Sequence, residues 1–439
     1  MAQRGNALES ERTSRRSFLR ASSTAIGAAA LNTLGSQPAV HAAGSDQIKV
    51  GLIGCGQRGT GAAIQAMEAD PGVRVIAVAD VFEDHVQKTI ERLKAASPPQ
   101  AIIQKDHGFV GFDAYRKVIE SDVDVVLIAC ASRFHPSYLS ACVDAGKHVF
   151  VEKPHAVDPP GVHVVAAACE NAREKDLFVV SGLHRRYDRS VQETIQRVQD
   201  GAIGDIVSME VSFMRAPYRV IPRDPKWSEM EWQFRTWYHF RWLSGDDVVQ
   251  SLIHTTDVAT WAMGEQPPQS AHALAGRSAS IEHRYGDVFD HTAVVNEYAG
   301  GARLYGLVRT QVNCHNEVAV KLFGTRGTAV EGRIWGEHNW SYGKRPIGGH
   351  AQEQIDFFAA LRAGDTINNG SYMTRSTMVV LMGQLAAYTG KKITWDEINK
   401  SEFKYPPADD IIDFTTVPPV LAAEDGIYPT AIPGRTQLG

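Results

Sequence analysis

The chain has 439 residues, a length that corresponds to about two globular domains. Hydrophobic residues make up 44% and charged residues 22% of the sequence, which excludes a disordered chain, a collagen-like fibre and a polytopic membrane protein. The formal net charge is −5, whereas a general nucleic-acid-binding protein carries a basic excess, so we expect no nucleic-acid partner.

The first 42 residues resemble an export signal. Residues 14–20 contain the paired arginines of a twin-arginine signal, an Ala-rich stretch follows over 21–34, and 40–42 match the small-residue pattern that signal peptidase recognises. A disordered basic tail or an uncleaved amphipathic helix is the alternative. Because no later run reaches the ~20 apolar residues of a membrane span, we expect the twin-arginine machinery to export a folded, periplasmic protein without stable membrane insertion.

A nucleotide-binding pattern begins at residue 47. Residues 47–53 predict a strand, a glycine-rich turn and a helix follow, and a second strand over 73–79 ends at an acid. In this order the glycines allow a tight turn and the approach of a pyrophosphate, and the helix N-terminus offers it free N–H groups. The predicted cofactor residues of this region are Gly54, Gly56, Gln57, Arg58, Gly59 and Asp80.

The carboxylate of Asp80 indicates which dinucleotide is bound. It can bind the ribose hydroxyls of NAD, and it would repel the 2′-phosphate of NADP. NAD is therefore the predicted cofactor, and Arg58 keeps NADP as the less favoured alternative.

Strands and helices continue to alternate up to residue 182. Further strands are predicted over 123–129, 148–151 and 177–180, with helices between them, whereas residues 82–114 predict only a connecting helix and a loop. This alternation is typical of a doubly wound parallel sheet. The predicted fold class is therefore α/β, with a Rossmann domain over residues 47–182.

Residues 183–405 predict a second, α+β domain, followed by an extended tail over 406–439. The strand patterns in this domain indicate an open, mostly antiparallel sheet: 206–214, 291–298, 303–309 and 317–323. Sheets with one open apolar face commonly pair, so we expect a homo-oligomer, either a dimer or a tetramer.

A tryptophan recurs every five residues from Trp227 to Trp242, which fits neither a helix face nor a strand face and predicts a loop or broken segment. Packing is the favoured role of these rings, and a sugar-binding lid is the alternative.

The cysteines and histidines form no metal-binding pattern. The five cysteines include no CxxC pair, and the chain has no HExxH motif. We therefore predict neither a metal ion nor a disulfide framework.

A charged pair leaves the carboxyl end of the strand over 148–151. Glu152-Lys153-Pro154 would point into the crevice where parallel sheets bind ligands. Together with the glycine-rich turn, this sequence resembles the Gfo/Idh/MocA oxidoreductases, in which Glu-Lys-Pro is a signature. The helix from His254 to Trp261 is similar to the family's His-x-x-Asp-x-x-x-Trp helix, and the resemblance spans nearly all of residues 47–405.

The resemblance implies roles for residues in a cleft between the two domains. Lys153 and His254 are the implied catalytic pair that faces the substrate hydroxyl, because a lysine stabilises alkoxide charge and a neutral imidazole is a competent base. The residues predicted to bind substrate are Asp257, Gln250, Arg186 and His135, with a surface salt bridge as the equal alternative for Arg186. The remaining predicted cofactor contacts are Ala131, Glu152 and Lys153.

One position departs from the family pattern. Many members carry Asp four residues before the histidine, and this chain has Gln250 there. A neutral amide can neither take a proton nor raise the pKa of a neighbouring histidine. We therefore expect Lys153 to carry more of the acid/base work, with Asp246 or Asp247 as candidate substitutes.

These features predict an exported enzyme that transfers a hydride between nicotinamide and a ring hydroxyl of a sugar, cyclitol or glycoside. Two alternatives stay open. One is an NAD-dependent glycosidase or lyase that acts through a keto-sugar, although the Gly-rich Tyr-Pro-Thr-His segment associated with that branch is absent. The other is a non-catalytic sugar sensor, which only Gln250 supports.

Overall fold

A six-stranded parallel sheet forms the first half of the protein. The computed structural model describes residues 46–282 and 284–436, so the predicted export signal lies outside the described residues. The strands are β1 (Ile48–Ile53), β2 (Val73–Asp80), β3 (Gly108–Val110), β4 (Val125–Ile128), β5 (His148–Val151) and β6 (Val179–Ser181). Their order, β3-β2-β1-β4-β5-β6, is that of a dinucleotide-binding Rossmann sheet.

Helices cover both faces of this sheet. They are α1 (Gln57–Ala69), α2 (Glu83–Ala96), α3 (Ala114–Glu120), α4 (His135–Asp144) and α5 (Pro159–Glu174), and α6 (Arg189–Gln199) follows the last strand. Every residue of β4 is buried, as expected for a central parallel strand that reads as an uninterrupted apolar run. β3 was not predicted, because this three-residue edge strand has no buried residue to produce an apolar pattern.

A nine-stranded sheet forms the second half. Its strands are β7 (Ile206–Arg215), β8 (Ser270–Gly276), β9 (His291–Glu297), β10 (Arg303–Thr310), β11 (Glu317–Gly324), β12 (Gly327–Val330), β13 (Arg333–Gly336), β14 (Trp340–Ser341) and β15 (Ile393–Thr394). All neighbours run antiparallel except β7 and β10, which are parallel. The two sheets confirm the predicted fold class.

Helices also accompany the nine-stranded sheet. They are α7 (Glu229–Arg235), α8 (Arg241–Ser244), α9 (Ile253–Ala262), α10 (Gly349–Ala363), α11 (Gly370–Thr389) and α12 (Trp395–Asn399). A π-helical turn over Val248–Leu252 leads directly into α9. Phe357 and Phe358 of α10 pack in the same core as Ile48 and Val50 of β1. This helix, although near the end of the chain, therefore packs against the first sheet.

The tryptophan-rich segment is broken into short pieces. It consists of α7, a 3₁₀ turn over Trp237–His239, and α8. Trp232 and Trp242 are 3% and 1% exposed, which makes them packing residues, whereas Trp237 is half-buried.

The C-terminal tail has one 3₁₀ turn and otherwise no helix or strand over its described residues 406–436. Its Phe414 stacks on Phe82, with ring centroids 5.4 Å apart, and the Arg133 side chain bonds to Asp409 at 3.1 Å. Within the described ranges, no helix is both long and apolar enough to cross a membrane.

Candidate active site

The turn between β1 and α1 requires its glycines. Gly54 has φ +101°, and a Cβ there would lie 2.5 Å from the Ala129 backbone. A Cβ on Gly59 would lie 1.9 Å from the Gly54 oxygen. By contrast, no described atom lies within 4 Å of the place where a Cβ of Gly56 would be. The open space at Gly56, in front of the free N–H groups of α1, fits a pyrophosphate.

Asp80 ties the end of β2 to this turn. Its Oδ2 accepts a hydrogen bond from the Cys55 N–H at 2.7 Å, and its Oδ1 accepts one from the Phe82 N–H at 3.0 Å. Its side chain is 11% exposed. The carboxylate is therefore held at the edge of the cofactor cleft, where the ribose of a dinucleotide would lie.

A cleft of about 680 Å³, which includes space open to solvent, runs from the glycine turn past Asp80 to Ala131. Its aromatic lining is Phe82, Phe112, Tyr115, Phe134, Tyr138, Phe234 and Trp237. Phe234 and Trp237 come from the tryptophan-rich segment, so both halves of the chain enclose the cleft. The glycine turn, the carboxylate and these apolar walls together fit NAD.

Gln57 and Arg58 form the first turn of α1. Gln57 is exposed, and its N–H is one of those without a partner inside the helix. The Arg58 Nε donates to Oε1 of Glu152 at 2.6 Å, and its Nη2 donates to Gln65 at 2.9 Å. In this structure the guanidinium of Arg58 is therefore engaged by Glu152 and Gln65.

Lys153 follows β5 and reaches across to the second half of the chain. Its Nζ donates to the backbone oxygen of Gln250 at 2.8 Å. Protein atoms surround the half-buried side chain, and this desolvation lowers the pKa of Lys153 to about 8, although Glu152 opposes the shift. The amine can therefore both hold and release a proton near neutral pH.

Gln250 lies in the π-helical turn before α9 and joins two parts of the site. Its backbone oxygen accepts from Lys153, and its side-chain Oε1 accepts from the Ser132 Oγ at 3.0 Å. The Nδ1 atom of His254 is buried and has no hydrogen-bond partner among the described residues. The histidine thus lacks the carboxylate partner that the family pattern would supply.

Neither candidate substitute for that carboxylate contacts His254. Asp246 accepts from the N–H groups of Val248 and Val249, and burial raises the pKa of Asp246 to about 7. Asp247 pairs with Arg215 and accepts from Ser251 at 2.7 Å. Both carboxylates are held by the π-helical turn and its neighbours, so neither is a hydrogen-bond partner of His254 among the described residues, and their role as substitutes stays a prediction.

Three imidazoles meet beside Lys153. The His184 ring lies 4.8 Å from the His254 ring and 3.8 Å from the His350 ring, between centroids. Burial, with the Lys153 charge and the other histidines, holds the pKa of His254 well below its usual value. Burial also lowers the pKa of His184 to about 2 and that of His350 to about 4, so all three rings are neutral at pH 7.

The sequence interpretation missed His184 and His350. His184 begins the 3₁₀ turn just after β6, and its position at the carboxyl end of a parallel strand was a usable signal. His350 stands at the start of α10, far along the chain, and only the packing of that helix against the first sheet brings it to the site.

Asp257 and Arg186 do not face a substrate as predicted. Asp257 is 0% exposed, and it accepts hydrogen bonds from Arg186 Nη2 at 2.8 Å and from the Ser376 Oγ at 2.7 Å. Arg186 also pairs with Glu265 and lies over the Tyr372 ring. The buried ion pair joins α9 to the turn after β6, which leaves neither group free for a sugar hydroxyl.

His135 also has a structural role in place of the predicted substrate contact. It is 1% exposed, and its ring nitrogens lie 2.7 Å from the Pro154 oxygen and 3.2 Å from the Cys130 oxygen. The ring therefore connects the loop after β4 with the loop that carries Lys153.

Glu152 belongs to a cluster with His350 and Glu353, whose ligand atoms lie within 4.8 Å of one another. Arg58 supplies a cation to this cluster, at 2.6 Å from Glu152 and 3.9 Å from Glu353. A resident guanidinium disfavours a metal ion at this cluster.

A Rossmann sheet with a glycine turn, a carboxylate at the end of β2 and a lysine just after β5 is the arrangement of a dinucleotide-dependent oxidoreductase. The model of the oxidoreductase family with an NAD-binding Rossmann fold matches residues 48–181, and the GFO/IDH/MocA C-terminal domain matches residues 191–330. The chain belongs to the Gfo/Idh/MocA family of NAD-binding oxidoreductases, which confirms the resemblance, the enzyme class and the cofactor.

Individual proteins show the same similarity. The chain is 25% identical over 286 residues to the myo-inositol 2-dehydrogenase of Thermotoga maritima, across 64% of this chain and 74% of that protein. It is 26% identical over 170 residues to a glycosyl hydrolase family 109 protein of Porphyromonas gingivalis, across 38% and 35%. The fold is similar to that of the WlbA dehydrogenase from Bordetella pertussis, solved with NADH and UDP-GlcNAcA, with a TM-score of 0.60, 19% identity, and coverage of 79% and 98%.

Proposed function

We propose that this protein is an exported NAD-dependent dehydrogenase that oxidises a ring hydroxyl of a sugar, cyclitol or glycoside. The observation that carries the proposal is the position of Lys153, whose amine pKa is lowered to about 8 and which follows the carboxyl end of β5 in the NAD-binding sheet. The dehydrogenase relatives, among them a myo-inositol 2-dehydrogenase, support a polyol substrate.

The side chains of the site would handle the hydroxyl proton and its charge. Bound NAD supplies the hydride acceptor. The Lys153 Nζ donates one hydrogen bond to the Gln250 backbone oxygen, which fixes the orientation of the amine. Its remaining N–H donors are left for a substrate oxygen. There the ammonium would stabilise alkoxide charge, and the free amine would take the hydroxyl proton. The neutral His254 would position the sugar, since it has no carboxylate behind it.

The export part of the proposal depends on residues 1–42. Their twin-arginine pattern and small-residue cleavage pattern support a mature protein that begins near Ala43 and acts in the periplasm. Fractionation of cells that express the full chain tests this, with Arg15→Lys/Arg16→Lys as the matched variant. Equal periplasmic amounts of both proteins would contradict the proposal.

Catalysis is tested by native mass spectrometry followed by activity assays. We expect the purified protein to carry NAD, and at least one compound in a panel of inositols, sugars and glycosides to produce NADH absorbance. Lys153→Met should abolish this signal and still bind NAD. Absence of bound NAD together with no NADH from any compound would overturn the proposed function.

A second candidate is an NAD-dependent glycosidase or lyase. The similarity to glycosyl hydrolase family 109 proteins favours this candidate. It predicts release of a sugar from an aryl glycoside without net NADH. Accumulation of NADH without release of the aglycone would reject it in favour of the dehydrogenase.

A further inference from the structure

The C-terminal tail, which lies outside both ranges matched by the family models, packs behind the cofactor cleft. Three rings of the cleft lining come from separate parts of the chain: Phe82 follows β2, Phe112 follows β3, and Phe234 belongs to α7. The tail residue Phe414 contacts all three rings, at centroid distances of 5.4, 4.9 and 6.2 Å in that order. Phe414 itself is not part of the cleft lining. One tail ring therefore supports cleft walls from both halves of the chain.

Phe82 connects this packing to the Asp80 carboxylate. The Phe414 ring lies nearly parallel to the Phe82 ring, at an interplanar angle of 13°, and the Arg235 guanidinium lies 4.0 Å from the centroid of the same ring. Phe82 is 5% exposed, and its backbone N–H donates to Oδ1 of Asp80 at 3.0 Å. Packing on the Phe82 ring therefore restrains the residue that orients the Asp80 carboxylate.

Hydrogen bonds anchor the tail on either side of Phe414. Before it, the Arg133 Nε donates to Oδ1 of Asp409 at 3.1 Å, and the Arg133 side chain is only 2% exposed. After it, the Val420 backbone oxygen accepts from Nε2 of Gln233 at 2.7 Å. The first anchor lies in the turn after β4 and the second in α7, so each half of the chain holds one side of the tail. These anchors fix the position of Phe414 behind the cleft.

We propose that Phe414 is a positioning residue of the cofactor site, which holds the aromatic wall and the Asp80 carboxylate in the arrangement that binds the adenosine half of NAD. A carboxylate at the end of β2 is where the adenosine ribose binds in a Rossmann sheet. Walls that are already fixed lose less conformational freedom when the ligand binds, so the tail increases NAD affinity and slows NAD release. The proposal goes beyond the proposed function, because it concerns cofactor binding and holds whichever compound is oxidised.

The first test is the rate of cofactor release from the full chain. The protein is loaded with NADH, and the fall of NADH fluorescence after addition of excess NAD gives the rate. Phe414→Ala should speed release about tenfold, because it removes three aromatic contacts. Phe414→Tyr keeps the ring and should release NADH at the wild-type rate. Val417→Ala, at a tail residue that is 70% exposed, is the matched control.

Phe414 is half-buried, so Phe414→Ala should fold with a Tm close to that of the wild type. Phe414→Leu, which fills the same space without a ring, repeats the comparison if the alanine variant unfolds at the assay temperature. A wild-type release rate in the ringless variant would overturn the proposal, and so would equally fast release from Phe414→Ala and Phe414→Tyr.

The second test shows which half of the cofactor the tail affects. ADP-ribose contains the adenosine half of NAD and lacks the nicotinamide. Phe414→Ala should therefore raise the Kd of ADP-ribose by the same factor as the Kd of NAD, both measured by displacement of bound NADH. A loss of affinity for NAD alone would place the effect at the nicotinamide and would overturn the proposal.

The third test shows whether the tail acts through Phe82. Phe82→Leu removes the stacked ring and keeps an apolar side chain. In this background Phe414→Ala should speed NADH release by a smaller factor than in the wild type, because its stacking partner is already absent. The same factor in both backgrounds would show that the two residues act independently, which would overturn the connection between the tail and Asp80.

Discussion

Lys153 is the residue whose protonation state should control the proposed oxidation. Its surroundings lower its pKa to about 8, so below that pH the amine is protonated and cannot accept the hydroxyl proton. We expect kcat/KM for sugar oxidation to rise with pH through about 8 and to level off above it. Lys153→Arg keeps the charge but does not titrate in this range. The inflection should therefore disappear in the pH–rate profile of any residual activity, and its persistence would assign it to another group.

Gln250 offers a way to move that inflection. Its backbone oxygen already bonds to Lys153, and Glu is close in size to Gln, so Gln250→Glu places a carboxylate near the amine. An opposite charge favours the protonated lysine. We expect the inflection of the pH–rate profile to move up by about one unit, with little change in Tm. Ser132→Ala, which removes only the side-chain partner of Gln250, is the control and should leave the inflection near pH 8. An unchanged inflection in Gln250→Glu would mean that the new carboxylate points away from Lys153.

Single residues also show where sequence reasoning reached its limit. Lys153 could be placed at the carboxyl end of the parallel sheet because a strand ends two residues before it. Asp257 and Arg186 matched a motif, yet motif spacing does not reveal that two opposite charges will pair with each other in a buried position. His135 likewise lies four residues after Ala131, a predicted cofactor contact, yet its ring turns inward to two backbone oxygens.

The turn between β1 and α1 is an element whose glycines have separable roles. Gly59→Ala would place a methyl group 1.9 Å from the Gly54 oxygen, so we expect a loss of several kcal/mol of folding stability, beyond the 1–3 kcal/mol that is typical of overpacking.

Gly56→Ala meets no described atom within 4 Å and should fold with a Tm near that of the wild type. Its methyl group would occupy the space in front of the helix N-terminus, so its NAD Kd should rise at least tenfold. Thermal melts and NAD titrations separate the two effects, and equal NAD affinity in Gly56→Ala and the wild type would contradict this account of the turn.

Elements with a strong internal pattern were predictable, and those that depend on neighbours were not. β1, β2, β4 and β5 consist mostly of apolar residues. β8 shows only two buried residues in seven, so its place between β9 and β15 comes from backbone pairing and not from its own side chains. The contribution of α10 to the site has the same origin, since its packing on the first sheet brings His350 to Lys153.

At the scale of the whole molecule, the open face of the nine-stranded sheet is expected to form a contact between copies. On this face Leu274 of β8, which is 80% exposed, pairs with Ala293 of β9, which pairs with Leu307 of β10. Tyr305 lies on the same face and is 39% exposed. Exposed apolar side chains of this kind are costly in water and are common at subunit interfaces. We expect a dimer or tetramer in sedimentation analysis of the full chain, and Leu274→Glu should shift it towards the monomer, because a charge would be buried without a partner.

Ile432→Glu, an equally drastic change at an exposed tail residue, should leave the assembly intact. A wild-type protein that stays monomeric at tens of micromolar, or an unchanged assembly in Leu274→Glu, would exclude this face as the interface.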